Sequence, residues 1–210
     1  MGKKLTWLVV IIIVLLGAWW LLSPHAAAPQ GGVATTTTST IIPGVADETY
    51  TNSHLSFSIK YPATATSSAF DFSGYLQRTG TPVVSFVLPK EQGTNLSEAG
   101  VYIGATTTPS AMQSCENEVQ QNGEVAVGTT TINGQDFATF TSSDAGAGNF
   151  YESTSLRTYQ NGSCFEIVEL IHSTNIGNYT PGTVVAFDHA KYQGFLEAIV
   201  ATYYPIPTGI

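Results

Sequence analysis

The chain is short of positive charge, with 7 lysines and arginines in 210 residues against 15 acids. Lys3 and Lys4 are the only two before Lys60, so residues 47–210 hold the other 5 basic side chains and all 15 acidic ones, a net charge of −10. Phosphate backbones and anionic bilayers are held through positive patches, so an acidic domain of this kind excludes a nucleic-acid binder or a membrane-surface binder. Tryptophan does not recur after Trp20, and the only cysteines are Cys115 and Cys164. No G-x-S-x-G elbow occurs, so the abundant serines carry no signature of nucleophilic catalysis. No cysteine follows the first apolar run, which argues against a lipoprotein, and no glutamate interrupts that run, which argues against a type IV pilin.

What the chain has first is that apolar run. After the basic leader 1–4, residues 5–22 contain no charge. As a helix they are about 27 Å long, close to the hydrocarbon thickness of a bilayer. Trp7 and the pair Trp19-Trp20 stand near its two ends, where aromatic belts form, and the leader lysines predict a cytoplasmic N-terminus. Cleavage after Ala28 would fall before Pro29, so a retained single-pass anchor is expected over a cleaved signal peptide. Residues 23–46 are rich in Thr, Ala, Gly and Pro without acid, lysine or arginine, and they read as a disordered stalk. The localisation expected is the cell membrane, with residues 47–210 outside the cytoplasm.

Those 164 residues suit one domain. Its organising feature is a hairpin over 149–172, turned at Asn161-Gly162, because a type I′ turn needs positive φ at both central residues. The second arm, around Cys164-Phe165-Glu166-Ile167-Val168-Glu169-Leu170-Ile171, is apolar on both faces and reads as the central strand of a covered sheet. A second turn at Asn133-Gly134 and a glycine-rich loop over 144–148 extend this to a meander of about four strands. Strands are also predicted over 55–61, 82–89 and around 101–103, with 68–72 pairing with the first of these. Thr108 and Pro109 open a predicted helix running to about 121, with Met112, Cys115 and Val119 on one face. A closing helix starts at Asp188, with Tyr192, Phe195, Leu196, Ile199 and Val200 as its core stripe and Phe187 against Tyr192 as a staple. The class is α+β.

Beyond the anchor the compartment permits disulfides, so Cys115 and Cys164 are the candidate bridge, two buried free thiols being the alternative.

Tyr50, the run Leu55-Ser56-Phe57-Ser58-Ile59-Lys60-Tyr61-Pro62, the meander, and the final helix leading into Thr202-Tyr203-Tyr204-Pro205 resemble the PsbP-like fold family over residues 50–204. The resemblance implies an α/β/α sandwich around an antiparallel sheet, in a membrane-anchored extracytoplasmic domain. It also implies protein partners more than catalysis.

Candidate chemistry is sparse. His172, His189 and Glu169 are the residues from which a divalent site could be built, but strand-end polarity and helix capping account for the same side chains. Glu116/Glu118 and Glu166/Glu169 could serve as acid and base only if each pair faced one cleft, and residues three apart on a strand point to opposite faces. Asn95, Asn161 and Asn178 open glycosylation-type triplets. No catalytic residue, cofactor or metal is therefore assigned. The expected role is a binding or accessory domain for an envelope protein, the alternatives being a hydrolase with an unrecognised site or a small-ligand sensor.

Overall fold

The computed structural model describes residues 41–69, 71–119 and 123–207. The chain divides into two units, Met1–Thr38 and Ser39–Ile210, and every described residue falls in the second. The predicted leader, the apolar segment 5–22 and most of the stalk lie outside the described residues. Among the described residues no helix is long and apolar enough to cross a membrane.

In chain order the elements are β1 (Asp47–Asn52), β2 (Phe57–Pro62), β3 (Thr66–Ser68), β4 (Pro82–Val87), β5 (Leu96–Thr106), α1 (Pro109–Gln113), β6 (Val125–Ile132), β7 (Gln135–Gly146), β8 (Asn149–Gln160), β9 (Ser163–Thr174), α2 (His189–Val200) and β10 (Tyr204–Pro205), with single 3₁₀ turns at Ser73–Tyr75 and Ile176–Asn178. They form a seven-stranded sheet in the order β3-β4-β5-β9-β8-β7-β6 and a three-stranded sheet β1-β2-β10. All strand pairs within the two sheets are antiparallel.

The central strand is where its composition predicts. β9 is fourth of seven, and its first nine residues are all buried. β6 to β9 form the expected meander. At both Asn-Gly turns the two residues have positive φ, 47° and 85° at Asn133-Gly134, 48° and 72° at Asn161-Gly162. The glycine-rich loop is shorter than expected, because β7 continues to Gly146 and Ala147-Gly148 alone make the turn, with Ala147 at φ 49°. The left-handed region costs a residue with a Cβ about 1–2 kcal/mol, and the long β7–β8 pairing holds it there.

One face of the large sheet carries the main core. Helix α2 packs chiefly on β5, β9 and β2. Between them Phe57 meets Phe165 at 5.0 Å and Tyr203 at 6.0 Å between ring centroids, and Phe137 meets Tyr203 at 5.2 Å. The N-cap of α2 is as predicted: Asp188 Oδ1 accepts from Lys191 N at 3.0 Å, and the Phe187 and Tyr192 rings stand 6.1 Å apart. The core also takes in Ile41, which is 7% exposed, so the folded domain includes part of the predicted stalk.

Three expectations are corrected. The first helix stops at Gln113, and Cys115 lies in the turns that follow. Past that point two backbone carbonyls accept from guanidinium groups: Asn117 O from Arg78 and Arg157, and Glu118 O from Arg78. The segment predicted to pair over 68–72 gives way to β3, which ends at Ser68 and pairs with β4, not with the strand over 55–61, which belongs to the smaller sheet. The α/β/α sandwich is incomplete among the described residues. The face opposite α2 is covered by segments 71–79 and 107–119, whose regular structure is one 3₁₀ turn and the five-residue α1. There a smaller cluster of Leu76, Tyr102, Val168 and Leu170 is buried.

Candidate functional site

Alternation along β9 sends Glu166 and Glu169 to opposite faces, and the two carboxyl groups have different surroundings. Glu166 sits on the loop-covered face and accepts the backbone N–H groups of Gln77, Arg78 and Thr79 at 3.0–3.1 Å. Its cross-strand partner is Arg157. Arg157 is fully buried and holds Glu124 through two contacts of 2.6 and 3.0 Å, with Glu166 at 3.5 Å and the Phe140 ring 3.9 Å away. Glu124 in turn accepts from Val119 N at 2.7 Å. Burial raises the Glu166 pKa, opposed by the amides and by Arg157. This triad fixes loops on the sheet, and it is a structural tie. Cys115 and Cys164 form a disulfide on the same face, Cα–Cα 5.5 Å, next to the same loop.

Glu169 points the other way, towards α2. It is 7% exposed and, among the described residues, has no hydrogen-bond or ion-pair partner, although it sits in the covered core row with Phe165, Ile167 and Ile171. The reason it is tolerated is a cleft. Because α2 lies over β5 and β9, the same face of β8, β7 and β6 is left open beside it. Two adjoining hollows of about 380 and 530 Å³ run along that side, and Thr154, Glu169 and Gln193 line both. Register places Glu169, Thr154 and Thr141 side by side on β9, β8 and β7, a spacing at which cross-strand side chains interact. Among the described residues the hydroxyls of Thr154 and Thr141 have no partner either. Leu196 and Ile171 form the apolar wall, and Glu197, tied to Gln193 at 3.0 Å, and Glu152 stand at the rim. Burial first, and Glu197 second, push the Glu169 pKa up to about 8.

The histidines do not join Glu169. His172 is on the opposite face, stacked on Tyr151 at 4.2 Å and bonded to Asn149 at 3.0 Å, and burial lowers its pKa. His189 pairs with Glu152 at 2.5 Å, both well exposed. Among the described residues no three metal-ligating side chains converge. Glu118 accepts Ala126 N at 2.8 Å. Asn95 and Asn161 spend their amides inside the fold, on Thr174 O and Leu55 O. The sequence presents Glu169 as a partner of Glu166 or of the two histidines, and the structure gives it neither. Its place as an acid inside an unbroken apolar strand was the available signal.

No protein-family model matches the chain, and no curated protein matches it. The class its fold defines is an α+β domain built on an open antiparallel sheet. Solved structures similar to it include the cyanobacterial PsbP of Synechocystis, at 8% identity over 87% of this chain and 99% of that one, with a TM-score of 0.44. LpqN of Mycobacterium tuberculosis, described as involved in cell envelope biogenesis, is 10% identical over 86% of this chain and all of that one, TM-score 0.44. A protein of Bacteroides thetaiotaomicron is 16% identical with a TM-score of 0.45, and the match covers 78% of this chain but 50% of that longer one. The PsbP-like fold that residues 50–204 resemble is thus among the matches. The likeness is one of fold alone.

Proposed function

We propose that this chain is a membrane-tethered, extracytoplasmic binding module that serves another envelope protein, and that it binds through the cleft beside α2. The observation that carries the reading is Glu169, a buried carboxyl that has no partner among the described residues, at the floor of an open cleft beside the hydroxyls of Thr154 and Thr141. Burial disfavours the charged form of this carboxyl, and a ligand that stabilises the charge in the cleft would offset that cost. The anchor, the stalk and the net charge of −10 support presentation outside the cytoplasm. The test is crosslinking on living cells, followed by isolation of the full-length protein and identification of what comes with it. The account expects one reproducible envelope protein, lost when residues 47–210 are deleted. Recovery of no specific protein would contradict it.

A further inference from the structure

We propose that the cleft beside α2 receives a primary ammonium group, carried either by a small diamine or by a lysine side chain of the partner protein. The inference rests on the binding-module reading and names the chemistry of its site. Each wall of the cleft narrows the choice. The charges facing Glu169 are all acidic or paired to acid: Glu197 from α2, and Glu152 from β8 with its partner His189. β5, β7 and β6 present no titratable group to the cleft. An anion is therefore repelled and a cation attracted.

Among cations, a metal ion needs several ligating side chains at one point, and no three converge among the described residues. An ammonium group needs less. Its three N–H donors match the Glu169 carboxylate and the free hydroxyl oxygens of Thr154 and Thr141, which register aligns across three adjacent strands. Leu196 and Ile171 then cover the methylene stem, as apolar surface does for lysine side chains elsewhere. A sugar is disfavoured because no aromatic ring lines either hollow. Binding also moves a proton. The Glu169 carboxyl is held neutral up to about pH 8 in the empty cleft. An ammonium group seated beside it stabilises the carboxylate, and the carboxyl proton leaves to solvent.

The experiment is calorimetric titration of the full-length chain with cadaverine, and separately with a short peptide bearing one lysine. Affinity should rise about tenfold per pH unit between about pH 6 and 7.5 and level off above about pH 8, with close to one proton released per ligand below that point. Glu169→Gln should flatten the pH profile and weaken binding at about pH 8 by about tenfold or more. Thr154→Val should weaken it several-fold and keep the profile, so a poorly folded Glu169→Gln protein does not rescue the idea. Binding of cadaverine but not of the peptide assigns the ammonium to a small molecule, and the reverse assigns it to a protein lysine. Binding of neither probe at about pH 8, or an unchanged profile in Glu169→Gln, overturns the proposal. If the probes fail while a cell-surface partner is still recovered, the binding module stands and the ammonium assignment falls.

Discussion

At the scale of single residues, Glu169 makes stability depend on pH in a direction opposite to most acids. Its carboxyl titrates near 4.3 in an unfolded chain and at about 8 in the fold, so the folded state binds the extra proton between those values. The stability it contributes is fully present below about pH 4 and is lost as pH rises through about 8. Glu169→Gln, which cannot ionise, should therefore leave stability near that of the parent at about pH 4. At about pH 9 it should raise stability by a few kcal/mol. Urea unfolding at the two values measures this, and an equal effect at both would show that the carboxyl is not held neutral. The residue was half legible in the sequence. Strand alternation correctly separates Glu166 from Glu169, but which face a helix covers, and how far along, depends on packing that no local pattern encodes. Arg157 left a clearer trace: counting back from the two-residue turn at Asn161-Gly162 pairs it with Glu166, two opposite charges on neighbouring strands.

At the scale of elements, the hairpin of β8 and β9 organises everything around it, and the disulfide fastens the irregular layer to that hairpin. Cys164 lies on β9, and Cys115 lies in the turns after α1, 49 residues earlier. Closing such a loop is worth up to about 4 kcal/mol in the chain-entropy model. Reduction should lower the unfolding midpoint by several degrees and expose residues 107–119 to amide hydrogen exchange before the sheet opens. Unchanged exchange there on reduction would contradict this role. The long strands and α2 were legible because their apolar periods run unbroken and their turns and caps are marked by Asn-Gly and Asp188. The end of α1 was not, because no glycine or proline marks it; the chain beyond is held by Arg78 and Arg157, which reach Asn117 O and Glu118 O from positions about 40 residues away. The pairing of β3 is hidden for a related reason: a three-residue strand has too few side chains to specify its neighbour.

At the scale of the whole molecule, the distribution of charge and the shape of the covered face make one argument. Fifteen acids against five bases beyond the leader give the domain a field that attracts cationic partners. Beside α2 the described residues leave a cleft floored by an acid that has no partner among them. Those two properties come from different levels, composition and packing, and only the first is visible in the sequence. The apolar run over residues 5–22 is the converse case, an anchor expected from the sequence alone.

The central claim, that this cleft is where the protein binds, is tested most directly by placing a photo-crosslinking amino acid at Gln193, in the cleft, and in a second variant at Asp71, on the opposite side of the sheet. After illumination of living cells, the account predicts one envelope protein adduct from position 193, weakened by Glu169→Gln, and none from position 71. Adducts from position 71 alone, or from both positions equally and without regard to Glu169, would contradict it.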